Sequence, residues 1–199
     1  WEKLWQPITV FLAAASFLGL SVAFHLWLDK RVEPMVAKVE QLRLLPSGER
    51  LKPGLLGYHH LGADFLWLQV VQVLGERTHS WRDFEWLRHT LDVITTLDPD
   101  YIYAYDVGGV VLAEWAKRPD WSNALLEKGI KANPESWRLP FLIGYNYFFH
   151  LQNHVMAGEY MAKAARLPKR PYFIDLFAAR LYAEGNSYEL ALEYLTAMI

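Results

Sequence analysis

The first part of the chain is predominantly hydrophobic and free of charge over a long run, and hydrophobic positions fall into a period only later. Trp5 to Leu28, WQPITVFLAAASFLGLSVAFHLWL, is 24 residues without a formal charge. At about 1.5 Å rise per residue, such a helix is long enough to cross a hydrocarbon core of roughly 30 Å. Trp1 and Trp5 stand at one end and Trp27 at the other, where amphipathic rings favour the headgroup level. The pattern predicts a single transmembrane anchor over residues 1–28, in contact with the lipid bilayer through residues 5–28. A cleavable signal peptide fits less well, because the run exceeds the usual apolar region and no A-x-A-like site follows it. Ala15, Gly19 and Ala23 fall four apart and stack on one face, where small residues let another helix approach. His25 lies near the end of the span. Either its side chain reaches the interface or it is an axial ligand of a b-type haem, which needs a second ligand.

Residues 29–56 read as a connector. Val32, Met35, Val36, Val39 and Leu42 recur at helical spacing, which predicts a short amphipathic helix. LPSGERLKPG then breaks it with two prolines and two glycines. The next helix is predicted at Leu61 to Leu74, where Phe65, Leu68, Val71 and Gln72 recur alongside Leu66, Trp67, Val70 and Val73. Apolar residues cover most of its circumference, so it is expected to be buried between the connector and its partner helix. Ahead of it, GYHHLGADF sets His59 and His60 close to Asp64. The expected account of Asp64 is a carboxylate at the helix start, meeting unpaired N–H groups and the positive end of the dipole. A metal or haem site at His59 and His60 is the alternative.

Beyond this point the chain repeats. LDVITTLDPDY, LEKGIKANPESW and MAKAARLPKRPY end alike at Pro99, Pro134 and Pro168, at intervals of 35 and 34 residues. Each proline stops a helix it cannot continue. The units run at about 57–99, 100–134, 135–168 and 169–199, the last a further helix pair. The unit from Trp137 is the most regular, with Gly144 and Tyr147 on its A helix and Tyr160 and Ala164 on its B helix. Glu193 and Tyr194 echo Glu159 and Tyr160. From about residue 58 onward the chain resembles the tetratricopeptide-repeat family, whose period is 34 residues. The second unit departs from that pattern, with Ala113 in place of the signature aromatic, and the first has a longer turn, GERTHSWRDF. LLPSGERLKPGLLGYHHLGADFLWLQ, LDVITTLDPDYIYAYDVGGVVLA and AARLYAEGNSYELALEYL also look like membrane-anchored bacterial repeat proteins of poorly defined role. The resemblance implies an all-α fold: an anchor in a bacterial inner membrane, then a helical-repeat solenoid over residues 57–199 on the periplasmic side. Lys3 before the span against Lys30, Arg31 and Lys38 after it favours the opposite orientation by the positive-inside rule.

Charge and composition narrow the function. Lys and Arg number 20 and Asp and Glu 22, so no net field holds a polyanion, and no nucleic-acid partner is expected. The absence of cysteine removes disulfides, thiolate metal sites and cysteine nucleophiles. No Walker loop, G-x-S-x-G, H-E-x-x-H or G-x-G-x-x-G occurs. His150 and His154 have the spacing of a zinc pair, but the repeat places them at the turn between its two helices. Exposed turn histidines are the expected account, and the same holds for His79 and His89.

In stacked repeats the A helices line the surface along which partners lie. The peptide-binding members of the resembled family clamp a terminal carboxylate there with lysines and asparagines. The matching positions here are Val107, Val111, Phe141, Tyr145, Asp175 and Ala179, so that clamp is missing. The expected lining is aromatic instead, with Tyr101, Tyr105, Arg138, Phe141, Tyr145 and Phe148 as partner-binding residues beside Tyr103. The reading is of a non-enzymatic scaffold or accessory subunit, with no cofactor, that docks protein subunits of a membrane complex. The alternative is a redox subunit with haem or metal on His25 or on His59 and His60.

Overall fold

The computed structural model describes residues 2–29, 35–75, 83–185 and 188–196. Among them are eleven α-helices, a 3₁₀ turn and no strand, so the chain is all-α. It divides into two compact units, Trp1–Lys38 and Val39–Ile199.

The first unit is built on α1 (Glu2–Asp29), 28 residues long. Its side chains are described from residue 14 to residue 27, and all are exposed. Phe17, Leu18, Leu20, Val22, Phe24, Leu26 and Trp27 point to every side of the helix. Among the described residues no helix is long and apolar enough to cross a membrane. The remainder of the span predicted at Trp5–Leu28 lies outside the described side chains.

α2 (Met35–Arg43) forms where the amphipathic helix is predicted. Leu42 is buried and Val39 half-buried, while the side chains of Val32, Met35 and Val36 lie outside those described. α3 (Gly48–Leu51) and a 3₁₀ turn at Lys52–Leu55 follow, closed by Leu56 in the left-handed region at φ 48°. This part of the connector is seated rather than loose. Gly48 lies against α5 (Glu85–Leu97), where a Cβ would fall 2.6 Å from Thr96 Cβ. His89 Nε2 on α5 lies 2.8 Å from the Leu45 carbonyl oxygen, so His89 ties the connector to the repeats and is not a free surface histidine. His79 lies outside the described residues.

The second unit is a stack of helix pairs. α4 (His59–Gly75) packs on α5, α6 (Ile102–Glu114) on α7 (Pro119–Ala132), α8 (Arg138–Phe149) on α9 (His154–Ala165), and α10 (Phe173–Glu184) on α11 (Tyr188–Thr196). Each pair also touches the next, α5 against α6, α7 against α8 and α9 against α10. Contacts between first helices (α6 with α8) and between second helices (α5 with α7) complete the layering. The core between the layers is apolar: Trp86, Leu87, Leu91 and Ile94 of α5, Leu112, Leu126, Leu139 and Met161 are fully buried. Thr90 and Thr95, buried among them, donate their hydroxyls to the carbonyls of Trp86 and Leu91, four residues back, which removes the cost of an unpaired polar atom. Gly144 is buried against Ala157 and Met161 of the facing helix. Tyr147 stacks on Tyr160 with ring centroids 5.6 Å apart, and the Tyr160 hydroxyl donates to Glu127. Ala113 is buried, filling its place with little volume.

Two expectations about α4 are corrected. The helix begins at His59, not Leu61, and has no acidic residue in its first turn. Asp64 therefore lies beyond the unpaired N–H groups and is not a cap. Burial is also confined to one face: Ala63, Leu66, Val70 and Val73 are buried, whereas Phe65 is 63% and Leu68 59% exposed. A helix apolar on most sides has no sequence signal for which side its neighbours cover, and α5 covers only one.

Candidate docking surface

The first helix of each pair carries an apolar stripe opposite its buried face. On α4 it is Leu61, Phe65 and Leu68, on α6 Tyr103, Val107 and Val110, and on α10 Phe173 and Leu176, all exposed. On α8 the half-buried Phe141, Leu142 and Tyr145 lead to the exposed Phe149. Spacing by three and four residues makes each row a stripe. The buried complement on α6, Ala104, Gly108 and Leu112, shows that the stripe is a face and not scattered surface.

Between α6 and α8 the surface opens into a pocket of about 440 Å³. Its walls are Val110, Ala113, Phe141, Leu142 and Tyr145, and its floor includes Gly109, Ser122 and Asn146. The floor is fixed by polar bonds. The Ser122 hydroxyl donates to the Gly109 carbonyl at 2.8 Å, and Asn146 Nδ2 donates to Ser122 Oγ at 2.9 Å and to Asn123 Oδ1 at 2.8 Å. These bonds lock α6, α7 and α8 together beneath the pocket, which is therefore preformed. At the rim stands Glu114, whose Oε1 lies 3.2 Å from His150 Nε2. The Tyr145 hydroxyl faces Glu114, and its pKa is raised, first by burial and then by that carboxylate.

Two of the predicted partner residues, Phe141 and Tyr145, line the pocket, and the others are placed elsewhere. Tyr105 is 0% exposed: its ring packs in the core beside Gly129 and its hydroxyl donates to the Thr95 carbonyl at 3.4 Å. It is a core residue and no partner can reach it. Arg138 is a brace between α8 and α6, with Nε 2.7 Å from Asp106 Oδ2 and Nη2 3.0 Å from Oδ1. Its pKa is raised by these bonds. Tyr101 sits ahead of α6, edge-on to Trp67 at 5.9 Å, and its pKa is raised, first by burial and then by the Asp64 carboxylate. Phe148 turns toward Phe177 and His154, at centroid distances of 5.7 and 5.3 Å, and so packs between repeats. Of the clamp positions, Val111 and Ala179 are buried. Val110, Leu142, Glu114 and Asn146 were not singled out by sequence reading. The stripe Tyr103, Val107, Val110 and Glu114 was the available signal for two of them.

The histidines go separate ways. His60 Nδ1 lies 2.9 Å from Asp98 Oδ2, and that bond raises its pKa. His59 is half-buried at the start of α4. His150 and His154 face different carboxylates, Glu114 at 3.2 Å and Glu184 at 3.3 Å, and both are partly buried rather than exposed. His25 is exposed on α1. Among the described residues no three His, Cys, Asp or Glu side chains gather in a way that holds a metal ion. Ala15, Gly19 and Ala23 are exposed on α1.

Comparison with protein families, with curated proteins and with solved structures finds no match. The reading of function rests on the surface itself.

Proposed function

We propose that this chain is a non-enzymatic, membrane-anchored scaffold or accessory subunit, whose stacked, tetratricopeptide-like repeats dock a protein subunit of a larger bacterial membrane complex. The pocket between α6 and α8 carries the reading: a preformed, apolar-walled cleft within a helix face that leaves aromatic and aliphatic side chains in water. Contiguous exposed apolar surface of this kind marks interaction sites, and pocketed aromatic anchors supply most of the binding energy of an interface. α1 supports the anchor. It contains the uncharged run of 24 residues, and its described side chains, residues 14–27, are exposed with apolar groups on all sides, the pattern of a helix surrounded by a protein core or by lipid. Placement in the inner membrane with the repeats in the periplasm follows from the resemblance and remains part of this proposal.

Val110 is exposed, so Val110→Asp leaves the core untouched while putting a charge into the pocket wall. Extracted in mild detergent, the wild-type chain is expected to bring a partner with it, and Val110→Asp to bind that partner about 30-fold more weakly or worse, with unchanged helicity by circular dichroism. Equal recovery of the partner with both chains overturns the assignment of the surface.

A further inference from the structure

If α6 and α8 dock a protein, as proposed above, the chemistry of their pocket narrows which side chains that protein presents. Asn146, 3% exposed, forms part of the floor. Its amide nitrogen already donates to Ser122 Oγ and to Asn123 Oδ1, which uses both hydrogens. What Asn146 has left to offer is its carbonyl oxygen, an acceptor. Glu114 is the charged side chain among the lining residues. It is held by His150 Nε2 at 3.2 Å, with Lys117 Nζ further off at 3.8 Å, and the Tyr145 hydroxyl faces it. A carboxylate has about four acceptor sites, so Glu114 is positioned without being saturated. Floor and rim therefore both ask for donors, and the walls between them ask for apolar bulk.

We infer that the pocket takes a donor-bearing aromatic side chain, tryptophan first, from an amphipathic helix of the partner that sets a lysine or arginine one turn away. An indole supplies a large apolar ring with an N–H that only donates, and it fits a pocket of about 440 Å³. Phenylalanine fills the walls but leaves the Asn146 oxygen without a partner, at the cost of an unmade buried hydrogen bond. The cation follows from charge complementarity. Glu114 lies four residues after Val110 on α6, one turn or about 6 Å along the rim. A basic residue one turn from the anchor meets it, and an acidic one is repelled. A helix is the source, not a free aromatic amine, because the apolar face continues past the pocket over Phe149, Phe173 and Leu176. A small molecule leaves that surface uncovered.

The test uses the full chain in detergent micelles and fluorescein-labelled, alanine-based helical peptides as probes. One carries Trp with Lys four residues on; in the second the Trp is replaced by Phe, and in the third the Lys by Glu. The Trp and Lys peptide is expected to bind about 10-fold or more tightly than either control by fluorescence polarisation. Glu114→Gln is expected to erase the preference for Lys over Glu while keeping that for Trp over Phe, and Val110→Asp to abolish binding of all three. Equal binding of the three peptides to the wild-type chain overturns the inference, as does a Lys preference that survives Glu114→Gln. The two readings fail separately. If Val110→Asp loses the cellular partner while the peptides bind alike, the docking surface stands and this chemistry for it falls. If Val110→Asp keeps its partner, the docking surface itself is wrong.

Discussion

Arg138 illustrates how a charge on an aromatic face is used by its own fold. Its two bonds to Asp106 bridge α8 and α6, and Asp106 is the more buried partner. Half-exposed pairs of this kind contribute about 1 kcal/mol or less. Arg138→Glu sets two carboxylates against each other and is expected to lower stability to urea by about 1 kcal/mol, whereas Arg138→Lys keeps the charge and costs less. Equal stability of all three chains would show that the brace contributes nothing. His60 gives a cleaner electrostatic reading. The Asp98 carboxylate raises its pKa above the ordinary 6.5. A raised histidine pKa stabilises the fold fully below the ordinary value, and the contribution fades as pH climbs through the raised one. NMR titration is expected to place His60 above 6.5, and Asp98→Asn to lower it. An unchanged midpoint in Asp98→Asn would remove Asp98 as the cause. Burial pushes the Tyr105 hydroxyl up to about 12. Its ionisation is thus resisted in the fold, and stability falls as pH rises from 10 toward 12. Tyr105→Phe removes that loss, so its alkaline unfolding, followed by circular dichroism, should begin at higher pH than in the wild-type chain.

At the scale of helices, close approach explains where small residues stand. Gly129 of α7 faces the Tyr105 ring of α6, and a Cβ there would fall 2.7 Å from Tyr105 Cδ1. Gly129→Leu therefore forces α6 and α7 apart and is expected to cost about 1–3 kcal/mol, lowering the thermal midpoint by several degrees. An unchanged midpoint would mean that the two helices do not meet as described. Much of this layer was legible in advance. Pro99, Pro134 and Pro168 mark the loops after α5, α7 and α9, because proline cannot continue a helix. What was not legible is which face of each helix is left bare. α4 carries apolar residues nearly all round, so its periodicity could not separate the side covered by α5 from the side that carries Phe65 and Leu68. The pocket was half legible for a related reason. Aromatic residues advertise themselves, as Phe141 and Tyr145 did, but the floor at Gly109, Ser122 and Asn146 comes from three helices that sequence does not juxtapose. Aromatic identity also misled at Tyr105, since a ring in the core and a ring on a groove have the same spacing.

Taken whole, the chain joins an all-round apolar helix to a stack whose first helices share an apolar face. If α1 anchors the protein, full-length chain stays in the membrane pellet after carbonate washing, and a chain starting at Val39 is released while keeping its helicity. Release of the full-length chain would count against the anchor. The central claim is that the pocket between α6 and α8 is the docking surface, and site-specific photocrosslinking in cells tests it most directly. A photoreactive amino acid placed at Val110, on the pocket wall, is compared with one at Lys131, exposed on α7. The account predicts a discrete adduct with one protein from position 110 and none from position 131. No adduct at 110, or the same adduct from both positions, would contradict it.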